Sequence, residues 1–250
     1  VSGRSTSSPR AALVTGGSRG IGLAIARVLG EEGLRMTICA RRPKRLETAV
    51  RGLRAEGFAV EGVAADVTRE EDVLALLARH REAHGRLDVL VNNAGAGVVQ
   101  SIEATRTRLL DKLVAVNLRG PALCTREALP LLRAAGAEHG EALIVNVASI
   151  GGKEGRAGLA VYSATKAGEI VFTHSTAREV GGGGIQCTAL APGLVDTQMA
   201  DYARDRLPGE EMIQPEDVGE AVRFLLRTSP NCHVPEIVFT RPGGYPGAAR

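Results

Sequence analysis

Tyr162 and Lys166 stand one helical turn apart in Tyr162-Ser-Ala-Thr-Lys166, so on a predicted helix their side chains share a face. A free tyrosine has a pKa near 10 and would need to fall by about 3 units, or about 4 kcal/mol, to act as a base near pH 7. An ammonium about 4 Å away at an effective dielectric near 20 supplies about 4 kcal/mol, so one lysine is of the right size. On its own, Tyr-x-x-x-Lys more often marks a solvated helix face. Here Ser149 precedes the tyrosine by thirteen residues and closes a predicted strand, where ligands gather in open parallel sheets.

A second group of residues suits phosphate. Thr15-Gly-Gly-Ser-Arg-Gly-Ile-Gly22 matches T-G-x-x-x-G-x-G but not G-x-G-x-x-G, because the residue three after Gly22 is Ile25. Glycines at Gly16, Gly20 and Gly22, with Ser18, Arg19 and Ile21 between them, let backbone approach a pyrophosphate at a helix N-terminus. The alternative is a glycine turn used only for helix–sheet packing, which its place after the first strand disfavours. About twenty residues on, where an acid would bind a ribose 2′-hydroxyl, the chain reads Cys39-Ala-Arg41-Arg42. A carboxylate there would repel a 2′-phosphate, whereas guanidinium groups bind it in bidentate fashion, and Arg19 adds a third cation. The arginines favour NADPH over NADH, against the alternative of ordinary surface arginines in an Arg-rich chain.

The elements that must position these groups alternate strand and helix. Ala11–Thr15, Met36–Ala40, Ala59–Ala64, Leu87–Val91, Ala142–Val147, Ile185–Leu190 and Glu236–Thr240 read as seven strands. Helical patterns lie between them: one through Ile21–Val28, one from Pro43, one after a Thr68/Glu71 capping box with Val73, Leu74, Leu76 and Leu77 inward. A long helical stretch covers 106–135, and further helices cover 160–180 and 215–226. The order predicts an α/β fold, a single doubly wound Rossmann-type domain with a parallel sheet over 11–242, between a leader (1–10) and a tail (243–250).

Composition sets outer bounds. The 250 residues are 44% hydrophobic and 24% charged, which suits one large globular domain rather than disorder or a disulfide scaffold. With 31 Lys+Arg against 28 Asp+Glu and no basic run, the chain is no nucleic-acid binder by this measure. The Arg and Ala bias suggests a GC-rich bacterial gene. Cys39, Cys124, Cys187 and Cys232 read as reduced core cysteines, and no apolar run approaches the ~18 residues of a membrane span, so a cytoplasmic protein is expected. His80 and His84, four apart, could bind zinc, but no third ligand is nearby and they read as a solvated face; no metal is expected.

Asn92-Asn93-Ala94-Gly95 ends the fourth strand, Asp66-Val67 ends the third, and Asn117 lies in the long helix. With the glycine loop, Ser149, Tyr162 and Lys166, in this order and spacing over residues 11–240, the chain resembles the compact short-chain dehydrogenase/reductases. The resemblance implies Tyr162 as general acid/base, with Lys166 lowering its pKa and holding the nicotinamide ribose. It implies Ser149 orienting the substrate oxygen and Asn117 holding a water that links Lys166 to solvent. It further implies Asp66 and Val67 at the adenine and Asn93, Ala94 and Gly95 at the adenosine ribose. Pro192, Gly193, Val195 and Thr197 match the family's loop after the sixth strand, with Val195 near the carboxamide and Thr197 near phosphate. A homotetramer or homodimer is expected by the same resemblance.

The expected activity is NADPH-dependent, reversible reduction of a carbonyl compound to a secondary alcohol. Residues 198–213, with Met199, Tyr202, Leu207 and Met212, read as a short lid suited to a medium-sized, partly apolar substrate. A 3-oxoacyl-thioester reductase acting on a carrier protein or CoA is the enzyme alternative. Ala137–Glu141 and Gly181–Gly184 lack the basic residues an anionic carrier would bind, and the Val234–Pro242 ending departs from the family's glycine-rich one. A catalytically inactive NADP-sensing protein is the alternative of another class.

Overall fold

The computed structural model describes residues 9–243; most of the leader, Tyr245 and the rest of the tail lie outside them. Seven strands form one parallel sheet: β1 (Ala11–Thr15), β2 (Arg35–Ala40), β3 (Val60–Ala64), β4 (Val89–Asn92), β5 (Ala142–Val147), β6 (Ile185–Pro192) and β7 (Glu236–Phe239). Their order is β3-β2-β1-β4-β5-β6-β7, so the winding reverses between β1 and β4 and opens a crevice at the strands' C-terminal ends.

Period-2 alternation buries both faces of this sheet. Ala12, Val14, Met36, Ile38, Val89 and Val91 pack in one layer with α1 (Gly20–Glu31), α2 (Pro43–Ala55) and α7 (Pro215–Arg227). Leu13, Cys39, Leu90, Ile144 and Cys187 pack in the other with α3 (Glu70–His84) and α5 (Gly120–His139). Leu13, Leu90 and Ile144 are wholly buried, each worth about 1.5–3 kcal/mol of transfer free energy before chain entropy is subtracted. α6 (Ala160–Val180) packs chiefly on β6 and carries the tyrosine and lysine.

Several expectations are corrected. The Thr68/Glu71 capping box does not form. Thr68 instead donates its N–H (3.0 Å) and hydroxyl (2.8 Å) to Asp66 Oδ1, and α3 begins after Arg69 with no side-chain cap. Leu74 is 48% exposed, because the helix buries one stripe, Val73, Leu76, Leu77 and His80, and Leu74 lies off it. Cys232 is exposed in a turn before β7, while the other three cysteines are core. The expected stretch 106–135 is α4 (Thr107–Val114) and α5 separated by a π turn, Ala115–Arg119. Among the described residues no helix is long and apolar enough to cross a membrane.

His80 and His84 are not a solvated face either. His80 is fully buried, its Nε2 3.0 Å from the Arg86 carbonyl and its Nδ1 2.9 Å from Thr37 Oγ1. A carbonyl only accepts, so Nε2 carries the proton and Nδ1 accepts from the Thr37 hydroxyl, whose oxygen accepts in turn from His84 Nε2 at 3.2 Å. Burial, then the neighbouring His84, pushes the His80 pKa down from 6.5 to about 4. Between those values the unfolded chain binds a proton that the native state refuses. Stability complete above pH 6.5 is therefore lost as pH falls toward 4, by up to about 3 kcal/mol. Urea unfolding at pH 7.5 and 4.5 should reveal a drop in the wild type that is about 2 kcal/mol smaller in His80→Gln; equal drops would remove His80 from this role.

Candidate active site

A cavity of about 800 Å³ opens along the C-terminal ends of the strands, at the reversal between β1 and β4. Its floor begins with the loop after β1. Gly16 and Gly20 adopt φ of 67° and 52°, a region that side chains rarely tolerate. A Cβ at Gly16 would lie 2.8 Å from Asn93 Nδ2, and one at Gly22 only 2.3 Å from the same atom. The loop thus lies flat on the end of β4. Asn93 fastens it by donating to the Thr15 (3.0 Å) and Gly16 (3.2 Å) carbonyls, while Thr15 Oγ1 accepts the N–H of Asn93 and of Ala94. Ser18, Arg19 and Ile21 line the cavity from the start of α1, whose N-terminus has neither a side-chain cap nor an acid in its first turn. Its free N–H groups and positive dipole end suit an anion.

Beyond α1 the cavity wall is cationic. Arg19, Arg41 and Arg42 line it as the sequence suggests, and Arg45, one turn into α2, joins them. Partial burial and then the charges of Arg45 and Arg42 pull the Arg19 pKa down, a mark of like charges held close. Arg41 reaches Asp66 at 3.7 Å. Burial works against the Asp66 carboxylate, but the two bonds from Thr68 and the Arg41 charge outweigh it and hold the pKa below the ordinary value. Val67 is buried beside Asp66 and packs on Gly120, where a Cβ would come within 3.0 Å of its Cγ2.

Hydroxyl and ammonium groups gather at the other end. Ser149 caps a 3-10 turn (Ile150–Gly152) just after β5, its Oγ accepting the Gly151 N–H at 3.1 Å and donating to the Pro192 carbonyl at 3.4 Å. A Cβ on Gly151 would lie 3.3 Å from Tyr162 Cε1 and 3.4 Å from Ser149 Oγ, so the two side chains flank this glycine. Both line the cavity, and among the described residues the Tyr162 hydroxyl has no hydrogen-bond partner. Lys166 is buried at the cavity edge; its Nζ donates to the Val147 carbonyl (2.8 Å) and to Glu169 Oε2 (2.7 Å).

Asn117 occupies the π turn, wholly buried, and such turns recur at functional places in helices. Its Oδ1 accepts the Ala96 N–H at 2.9 Å, and its Nδ2 donates to the Ala96 carbonyl (2.9 Å) and Thr165 Oγ1 (3.1 Å). The amide ties the loop after β4 to α6 and keeps one Oδ1 lone pair uncommitted. Gly95 lies under it, where a Cβ would be 3.3 Å from Asn117 Oδ1 and 3.7 Å from Lys166 Nζ.

The strand β6 supplies the last wall. Gly193 donates its N–H to the Phe239 carbonyl (3.0 Å), Val195 pairs with Ile213, and the Thr197 methyl meets Gly20, where a Cβ would lie 2.9 Å away. Of the four lid residues singled out, Met199 and Tyr202 line the cavity, but Leu207 and Met212 do not. Those two pack with Ala200 and Ala203 into a small core of the lid itself, because the segment folds back where Arg204 joins Asp196 and Asp201. Val98, Val99, Arg156 and Leu159 complete the mouth and were not anticipated. Glu169 was also missed, although an acid three residues after Lys166 on one helix is a visible signal.

Comparison with known proteins shows the family and the fold. The family described as short chain dehydrogenase matches residues 10–208. A mouse protein named dehydrogenase/reductase SDR family member 11 (Mus musculus) is 32% identical over 242 residues, covering 91% of this chain and 92% of its own. The solved structure of a variant of actinorhodin polyketide ketoreductase with NADPH is 36% identical, with TM-score 0.83, over 92% of this chain and 95% of that one. A 3-ketoacyl-(acyl-carrier-protein) reductase from Brucella melitensis complexed with NADH is 31% identical, with TM-score 0.84, over 92% and 97%.

Proposed function

The chain belongs to the short chain dehydrogenase family, and from that premise we propose that it is an NADPH-dependent reductase converting a ketone to a secondary alcohol, reversibly. One observation carries the reading: the unpartnered Tyr162 hydroxyl flanks Gly151 with Ser149, one helical turn from the Lys166 ammonium, in a cavity whose far end bears four arginines. The actinorhodin ketoreductase neighbour, described with NADPH, supports the same cofactor; the Brucella neighbour with NADH does not decide against it.

The residues present fit a dinucleotide with a 2′-phosphate. The uncapped start of α1 with Gly16, Ser18, Gly20, Ile21 and Gly22 would take the pyrophosphate, and Arg19, Arg41, Arg42 and Arg45 the 2′-phosphate. Asp66 and Val67 would border the adenine, and Asn93, Ala94 and Gly95 the adenosine ribose. Pro192, Gly193, Val195 and Thr197 would face the nicotinamide half. When bound, the reduced nicotinamide supplies the hydride. Tyr162 gives its phenolic proton to the carbonyl oxygen as charge builds there, and Ser149 Oγ, released from its long bond to Pro192, donates to the same oxygen. Lys166 favours the phenolate left behind, and its third N–H, not committed to Val147 or Glu169, would hold the nicotinamide ribose. Asn117 holds the Gly95–Ala96 backbone under these groups, and its spare Oδ1 lone pair is where a proton-relaying water would bind.

Val98, Val99, Leu159, Met199 and Tyr202 give the mouth an apolar rim with Arg156 as its cation, which suits a medium-sized, partly apolar ketone. A 3-oxoacyl thioester is the second reading, favoured by the names of the ketoacyl reductase neighbours. Glu138 and Glu141, already paired to Arg86 and Arg10, leave no basic platform before β5 for an anionic carrier. Loss of NADPH absorbance with a panel of cyclic and aryl ketones, and with acetoacetyl-CoA, tests the proposal. Turnover of the free ketones is expected. Turnover of the thioester alone would establish the second reading, and NADPH binding without any turnover would favour a nucleotide sensor.

A further inference from the structure

Glu169 is a buried acid beside the catalytic lysine that the mechanism does not use. Glu169 is 1% exposed, one turn beyond Lys166 on α6, with its Oε2 2.7 Å from the lysine Nζ. A carboxylate in such a place is costly unless it is held by a partner, and here that partner is Lys166. We propose that Glu169 is a positioning residue that acts through Lys166. It draws the ammonium against the Val147 carbonyl of β5 and, by its own charge, sets how strongly that ammonium favours the Tyr162 phenolate. The inference rests on the proposed roles of Tyr162 and Lys166.

Geometry supports both parts. Two of the three Lys166 N–H groups are fixed, one on Val147 and one on Glu169, and the same nitrogen lies under Gly95 at the cavity floor. Glu169 therefore decides from which side the ammonium approaches the site. The groups around the pair are otherwise neutral: Asn117 on the π turn, Asn146 on β5, and Thr165 and Thr173 on α6, with the Thr173 hydroxyl donating to the Glu169 backbone carbonyl at 2.7 Å. Further along, Glu236 faces Lys153 and His174. Lys166 and, through it, Tyr162 are thus the groups whose ionisation Glu169 senses.

Charge balance gives the sign. Burial raises the Glu169 pKa to about 7 against the pull of the ammonium. Burial also disfavours the Lys166 charge, but Glu169 and Tyr162 outweigh it and hold that pKa above the ordinary value. With Glu169 protonated the pair carries a net positive charge behind Tyr162, and with Glu169 ionised the pair is neutral. Ionised Glu169 thus cancels part of the field by which Lys166 eases loss of the phenolic proton.

The chain has three tyrosines, Tyr162, Tyr202 and Tyr245, and no tryptophan, so tyrosinate absorbance can be followed directly. Subtracting the pH titration of Tyr162→Phe from that of the wild type isolates the Tyr162 step without any substrate. The same subtraction in a Glu169→Gln background should place that step lower by about one pH unit, as expected for losing a unit charge roughly 10 Å away at a dielectric near 20. Glu169→Asp, which keeps the charge, should leave the step within a few tenths of a unit. If Glu169→Gln does not fold, as judged by circular dichroism, Glu169→Met must shift the step in the same direction. Lys166→Met serves as the control and should raise it. An unmoved step in Glu169→Gln with a raised one in Lys166→Met overturns the role of Glu169 alone; an unmoved step in both overturns it together with the reading of Lys166 beneath it.

Discussion

Tyr162→Phe is expected to lower turnover by about 10³-fold or more while changing the NADPH dissociation constant by less than about threefold, since a positioned general acid contributes roughly 10²–10⁴. The change removes one oxygen from a half-buried ring. The ring faces Gly97 and Gly151 with Cε2 and Cε1, carbons that phenylalanine keeps. The hydroxyl makes no bond to another described residue, so no buried partner is left unsatisfied and the fold should be unaffected. Lys166 keeps its bonds to Val147 and Glu169. The expected signature is therefore a collapse of kcat with binding intact, read by steady-state kinetics and nicotinamide fluorescence. Residual turnover within about tenfold of the wild type would take Tyr162 out of its assigned place.

The second large effect concerns the choice between NADPH and NADH. Arg41→Ala with Arg42→Ala should weaken NADPH about 30- to 100-fold and NADH by less than about threefold, which corresponds to roughly 2–3 kcal/mol of charge-assisted hydrogen bonding. Two features of the site enlarge the difference. Arg19 and Arg45 already crowd the same wall, and an added dianion relieves their repulsion. Removing Arg41 also frees Asp66 from its 3.7 Å partner, leaving a carboxylate that repels the 2′-phosphate but not a 2′-hydroxyl. Fluorescence titrations of both nucleotides against both proteins give the ratio. Equal losses for the two cofactors would place the 2′-phosphate elsewhere.

What the sequence made legible follows from which signals are local. β1 and α6 stand where read, because a five-residue apolar run and a 21-residue helix need no distant partner to be recognised. The glycine loop, Ser149, Tyr162 and Lys166 meet at one cavity because strand order in an open parallel sheet brings its C-terminal ends together. The rest depends on contacts across the chain. Thr68 and Glu71 have the spacing of a capping box, but Asp66 takes the threonine. His80 looks like a surface residue until Thr37 and Arg86, from other elements, supply its two bonds. A π turn has no composition of its own; here it carries Asn117, whose amide bonds both Ala96 and Thr165. Arg45 was hidden among neighbouring arginines, and only the packing of α2 selects it. Leu207 and Met212 share the lid's apolar character with Met199 and Tyr202, and periodicity cannot tell a lid's own core from its inner surface.

The proposed nucleotide site takes a 2′-phosphate at the arginine wall, in front of Tyr162. Titration of the purified protein with NADPH and with NADH, followed by nicotinamide fluorescence, tests it most directly. NADPH is expected to bind at least about tenfold more tightly, a difference of about 1.4 kcal/mol that one guanidinium–phosphate contact suffices to supply. Tighter binding of NADH would contradict the assignment of the arginine wall, and binding of neither would contradict the site itself.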